Sequence, residues 1–193
     1  MNPTRPGCSA PVSAPLYPEP PYLYRGSNSL ICVFRANMHA IESLVPEPLR
    51  AVPGGLVYGW HNDFHAVGLG SYHEGIISIP VELNGTPGLY IAYLYLDSDA
   101  PIAAGREIFG FPKKFARFSY SDREDVMTRA AERGGVELFR LSVQFSKPGR
   151  QEDLAALVNP IYNLKIIPAE QGNMRQSYSE RGSSIRAFAV LTD

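Results

Sequence analysis

The sequence predicts a mainly β protein, its strands largely antiparallel and arranged as a barrel or as two packed sheets, with two or three short helices. Three observations carry this. Short runs rich in β-branched and aromatic residues recur along the chain, each separated from the next by Gly, Pro, Asn or Asp. Asn84-Gly85 stands between two such runs, a strong hairpin signal because both residues tolerate positive φ. Apolar residues at helical spacing occur only in brief stretches.

In chain order, residues 1–21 hold seven of the 17 prolines. Such a segment neither pairs regularly in a sheet nor continues a helix, so it reads as an extended arm that is loose or wraps a neighbour. A single domain over residues 22–193 follows. Residues 29–35 are apolar and β-branched, a buried strand. Asn37 is placed to cap a short helix through Met38, Ile41, Leu44 and Val45, which Pro46 and Pro48 end. Strands are expected over 56–61, 75–83, 89–96, 116–120, 136–145 and 164–167. Residues 125–133 and 152–158 offer the remaining helices.

The chain's 193 residues suit one domain with a sizeable core. With 45% hydrophobic and 19% charged residues it should fold, and its net charge of −1 lacks the basic surplus of a nucleic-acid binder. No apolar run reaches membrane-spanning length, and no apolar leader region follows Arg5. Cys8 and Cys32 form no disulfide framework, so a reducing cytoplasm is expected.

Of the 18 basic residues only Lys113, Lys114, Lys147 and Lys165 are lysines. Two of the four stand together in Gly105-Arg-Glu-Ile-Phe-Gly-Phe-Pro-Lys-Lys-Phe-Ala116. A guanidinium cannot lose its proton and so cannot be an amine nucleophile, whereas lysine can. Phe109, Phe111, Pro112 and Phe115 would keep a lysine partly out of water. A free lysine is deprotonated to well under about one part in a thousand at pH 7. Burial can lower a lysine pKa by as much as about 3–5, enough to make the amine available. Because adjacent strand residues point to opposite faces, burial should act more strongly on Lys113 than the charge of Lys114. The plain alternative is a solvated strand end.

Gly105-Arg106-Glu107 followed by Phe111-Pro112-Lys113-Lys114 resembles the signature of the acetoacetate decarboxylase family, G-R-E-x-x-x-[YF]-P-K-K. Further similar segments occur in the same order. They include Pro21-Tyr22, Val45-Pro-Glu-Pro-Leu49, Gly68-Leu-Gly-Ser-Tyr-His-Glu74, Tyr95-Leu-Asp97 and Leu164-Lys-Ile-Ile-Pro168. The resemblance covers roughly residues 17–168. It implies an antiparallel β-barrel or cone that assembles as a homo-oligomer, and a decarboxylase of a small β-keto acid. Lys113 then corresponds to the Schiff-base nucleophile, Lys114 to its charged neighbour and Glu74 to an active-site acid. Arg106 is a further candidate for contact with substrate. No metal or organic cofactor is implied, since the iminium formed on lysine is itself the electron sink.

Departures from the family pattern are also visible. The family's active-site arginine falls on Ser27, and Arg25 is expected to reach the same cavity from two positions earlier on the strand. A second family acid falls on Gly59 or Trp60. Ser177–Asp193 shows little of the family's later strand pattern, which suggests a domain shortened at its C-terminal end. Three alternatives stay open. One is a Schiff-base aldolase or dehydratase acting on pyruvate-like acids. Another is an inactive small-molecule-binding relative. The third is a metal site drawn from His61, His65, His73 and Glu74.

Overall fold

The computed structural model describes residues 9–144 and 160–166. Its strands are β1 (Leu23–Tyr24), β2 (Asn28–Arg35), β3 (Arg50–Ala51), β4 (Leu56–Val67), β5 (Gly70–Leu83), β6 (Thr86–Leu96), β7 (Lys113–Phe115), β8 (Arg117–Arg123), β9 (Val126–Arg133), β10 (Val136–Gln144) and β11 (Ile161–Tyr162). Two helices, α1 (Met38–Leu44) and α2 (Asp99–Ala104), and a π-helical turn (Gly105–Phe109) complete the described elements. The fold is mainly β, as expected, and consists of an eight-stranded and a three-stranded sheet.

The long strands β4, β5 and β6 form an antiparallel meander at the centre of the larger sheet. At the β5–β6 turn Asn84 and Gly85 have φ of 50° and 81°, as the hairpin signal predicts. Shorter strands fill the flanks. β1 and β2 both pair with β4, and β3 extends that column along β5. On the opposite edge β7 and β11 lie parallel to different parts of β6.

Side-chain alternation gives this sheet two buried faces. One packs under α2 and the π turn, where Tyr72, Ile76, Leu94 and Leu96 form a core with Ala104. Tyr17, 2% exposed, joins this core, so the packed region extends into the Pro-rich arm ahead of Tyr22. The other face packs under α1, where Ile41 meets Val57, Ile79 and Val81. Asn37 caps α1 as expected, its side chain accepting from the His39 N–H at 2.9 Å. The three-stranded sheet covers the rest of that face. A Cβ on Gly75 would lie 2.2 Å from the Phe139 ring, so a side chain there would separate the two sheets.

The helix expected over 125–133 is instead strand β9 of a β8–β9–β10 meander. Its residues 130–133 favour helix, but tight turns bound it on both sides. Glu124 has φ 53°, and Gly134 and Gly135 have φ 62° and 82°, which reverse the chain twice within a dozen residues. Of the strand expected over 164–167, residues 164–166 form no strand and Ile167 lies outside the described residues; the local pairing is made by β11 just before it. The helix expected over 152–158 lies outside the described residues, as do Cys8 and the C-terminal residues 167–193. Cys32 is a free thiol. Among the described residues no helix is long and apolar enough to cross a membrane.

Candidate active site

The segment that delivers Lys113 is built from α2 onward. The helix widens into the π turn, which Gly110 ends in the left-handed region at φ 75°. The Phe111 N–H then donates to the Gly105 carbonyl at 3.0 Å, and the Lys113 N–H to the Phe111 carbonyl at 2.8 Å. Arg106 Nη1 donates to the Lys113 carbonyl at 3.0 Å, tying the turn to the strand it feeds. Glu107 accepts from the Tyr17 hydroxyl at 2.5 Å, and its carbonyl accepts from Lys165.

Gly105 makes room for the lysine itself. A Cβ there would lie 2.5 Å from both Cδ and Cε of Lys113 and 3.2 Å from Nζ. The backbone at Gly105 is right-handed helical, with φ −65° and ψ −40°, so alanine suits the turn and the lysine is the nearest group that must move. Gly105→Ala should therefore still fold, at a cost of about 1–3 kcal/mol for the displaced lysine, and lower kcat at least about tenfold. Melting curves and turnover, measured on the same preparation, check both halves; equal turnover would show that the lysine's position is not critical.

β7 turns Lys113 inward. The residue is 9% exposed, and its Nζ donates to Glu74 Oε2 at 3.0 Å; Glu74 is 6% exposed. The Phe111 ring centroid lies 5.6 Å from Nζ and that of Tyr72 5.9 Å, so two aromatic faces border the amine. The Tyr72 and Tyr24 hydroxyls are 3.2 Å apart. Burial, then the Glu74 carboxylate and Tyr24, push the Tyr72 phenol far above the ordinary tyrosine value. Burial likewise raises Tyr24, with Glu74 adding a smaller upward effect and the Tyr72 hydrogen bond opposing both. Both hydroxyls thus stay protonated at any working pH. A buried amine with one carboxylate partner, aromatic walls and neutral phenols suits carbonyl addition and proton exchange.

The acetoacetate decarboxylase (ADC) family matches residues 4–184. The chain belongs to this family. It is 33% identical over 169 residues to acetoacetate decarboxylase 1 of Bradyrhizobium diazoefficiens, a match spanning 86% of this chain and 68% of that protein. It is also similar to a solved structure of acetoacetate decarboxylase at 31% identity and a TM-score of 0.81, over 87% of this chain and 70% of the other. The Legionella pneumophila acetoacetate decarboxylase is similar at 26% identity and a TM-score of 0.77, over 83% and 65% of the two chains. The chain thus spans about two thirds of the length of these family members.

The other residues that the family resemblance singles out are placed variously. Lys114 is exposed and in register with Tyr95, on the face opposite Lys113. Arg106 braces the Lys113 backbone. Arg25 is exposed, and its N–H donates to the His65 carbonyl at 3.0 Å, while Tyr24 beside it reaches Tyr72. Successive residues point to opposite faces, so this register puts Arg25 with His65 and away from Lys113. Phe111 borders the amine as the sequence suggests, whereas Phe115 is exposed and the phenolic lining was not read from the sequence. Tyr72, two residues before Glu74 on one strand, is the member that alternation identifies.

The histidines lie on the face away from Lys113. His73 Nδ1 is 2.6 Å from Asp97 Oδ2, and His65 Nδ1 is 2.9 Å from Ser71 Oγ. Glu74 points to the lysine side, and among the described residues no three His, Cys, Asp or Glu side chains converge as a metal set. His61 is 3% exposed, with Nε2 unpartnered among the described residues and the Phe118 ring 5.5 Å away.

Burial, then the charges of His73 and Arg129, lower His61 from 6.5 to about 4, against a smaller upward effect of Asp63. Between those values the unfolded chain binds the proton and the folded chain does not. Stability present above about pH 6.5 should therefore fall as pH drops towards 4, by on the order of 3 kcal/mol. Denaturant unfolding at pH 7 and 4.5 should show this loss in the parent and a smaller one in His61→Phe. Identical slopes in the two proteins would remove His61 as the cause.

Proposed function

We propose that the chain decarboxylates a small β-keto acid through a Schiff base on Lys113, with Glu74 as the proton carrier. The observation that supports this best is the buried Lys113–Glu74 pair at 3.0 Å, formed by the lysine of the family signature. Glu74 takes a proton from the Lys113 ammonium, and the freed amine adds to the substrate's ketone carbon. Protons passed by Glu74 convert the carbonyl oxygen to a hydroxyl and then to departing water. Of the ammonium's three hydrogens two end on water and one stays on the iminium nitrogen, and the carboxylate ends as it began.

The iminium withdraws electrons from the adjacent carbon. The bond to the carboxylate breaks, carbon dioxide leaves and its electron pair settles as a neutral enamine. A proton from solvent is added at carbon, and water hydrolyses the renewed iminium to release the ketone and the amine. The small keto acid is the partner this reading requires. It is tested by adding borohydride in the presence of acetoacetate and mapping the lysine-bearing peptide by mass. A reduced adduct on Lys113, with carbon dioxide released before reduction, is expected. An unmodified Lys113 peptide would overturn the proposal.

A further inference from the structure

We infer that Asn62, assisted by Ser27, holds the carboxylate of the keto-acid substrate, so that the site grips an anion with neutral donors. The inference rests on the Schiff-base reading of Lys113 and adds the groups that select its substrate.

Asn62 is 3% exposed and stands directly across the β4–β5 ladder from Glu74. Facing residues of this kind have Cβ atoms about 4.5–5.5 Å apart, so the amide borders the carboxylate that pairs with Lys113. Asn62 Oδ1 accepts from Ser29 Oγ at 2.6 Å, and this bond fixes the orientation of the amide. Its NH2 group then has no hydrogen-bond partner among the described residues. Ser27 immediately precedes β2, two residues before Ser29, and its Oγ is buried with no partner among the described residues. An unmatched NH2 group on a buried residue therefore lies on the face that carries Lys113 and Glu74, with the unmatched Ser27 hydroxyl at the head of the strand that carries Ser29. A carboxylate, which only accepts, complements them, whereas a second donor would not.

Among the described residues no guanidinium is seen to meet this pair: the Arg25 N–H donates to the His65 carbonyl, and Arg106 donates to the Lys113 carbonyl. Ser27 occupies the position where the family pattern has its arginine. The replacement has a chemical consequence. The substrate carboxylate loses its charge as carbon dioxide departs, so a fixed cation would stabilise the bound acid more than the transition state. Neutral donors orient the group with less of that bias.

The test compares borohydride trapping on Lys113 of 4-oxopentanoate and of 2-pentanone, ketones of equal chain length with and without a carboxylate. Neither can lose carbon dioxide through the iminium. The parent should trap the keto acid preferentially. Asn62→Leu, which keeps the size and removes the donors without adding a charge, should lower keto-acid trapping about tenfold or more and change 2-pentanone trapping much less. Ser27→Ala should lower the preference by a smaller factor. It carries the test alone if Asn62→Leu does not fold, a parental preference then overturning the inference. If both ketones lose trapping equally in Asn62→Leu while the protein stays folded, Asn62 serves only the Lys113–Glu74 pair and the inference fails. A parent that traps both ketones equally also overturns it, with the Schiff-base reading intact. A parent that traps neither overturns that reading and this one with it.

Discussion

Lys113→Arg and Lys113→Met should both lose carbon dioxide release by on the order of 10⁴-fold or more, and neither should form a borohydride-stable adduct. The two variants separate charge from nucleophilicity. Arginine keeps a cation opposite Glu74, and so keeps the pair that Lys113 makes at 3.0 Å. It cannot supply a neutral nitrogen to a carbonyl carbon at any accessible pH. Methionine matches the length of the lysine stem but leaves the Glu74 carboxylate buried and unpaired, which costs about 3–5 kcal/mol unless the carboxylate takes up a proton. Lys113→Arg should thus be folded and inactive, and Lys113→Met inactive and less stable, with the stability gap narrowing at acidic pH. Turnover of Lys113→Met within about tenfold of the parent would show that the reaction does not pass through this amine.

The proposed nucleophile, Lys113, is marked twice in the sequence, by residue type in an arginine-rich chain and by its ordered neighbours, and the fold buries it against Glu74. The fold class was legible for a related reason: β4, β5 and β6 are long, apolar and bounded by turn residues whose positive φ is written in the sequence. Position within those strands was harder to read. The segment over 125–133 mixes strand-favouring Val126 and Thr128 with helix-favouring Ala130 to Arg133, and the turns at Glu124 and Gly134-Gly135 decide for a meander. α2 and the π turn escaped notice because six residues starting with Asp-Ala-Pro carry too short a period to register. The arginine question turned on a single alternation. Tyr24 and Arg25 are neighbours in sequence, and the structure gives the lysine side to the tyrosine. Asn62 and Ser27 carry no motif at all. Asn62 meets Glu74 only through pairing across strands, and register is fixed by tertiary packing that one strand's pattern does not encode.

Glu74→Gln should lower kcat by about 10²–10⁴-fold while adduct formation on Lys113 persists at a slower rate. The amide keeps the side chain's shape and can still accept a hydrogen bond from Nζ through its carbonyl oxygen. It cannot carry a proton, so the amine must be freed, and the carbinolamine hydroxyl protonated, by water that the buried site admits poorly. Slow trapping with slower turnover is thus the signature of a lost proton carrier, and it differs from the complete loss expected at Lys113. The substitution also leaves the lysine ammonium buried without a counter-charge, at a cost of about 3–5 kcal/mol. Removing both partners, as Lys113→Met with Glu74→Leu, should recover most of that stability because no uncompensated charge is left in the sheet's interior. The double variant should therefore be as stable as the parent, or nearly so, and inactive. If Glu74→Gln alone matched the parent in turnover, Glu74 would be a structural counter-ion, and the Tyr72–Tyr24 hydroxyls would be the next candidates to carry the proton.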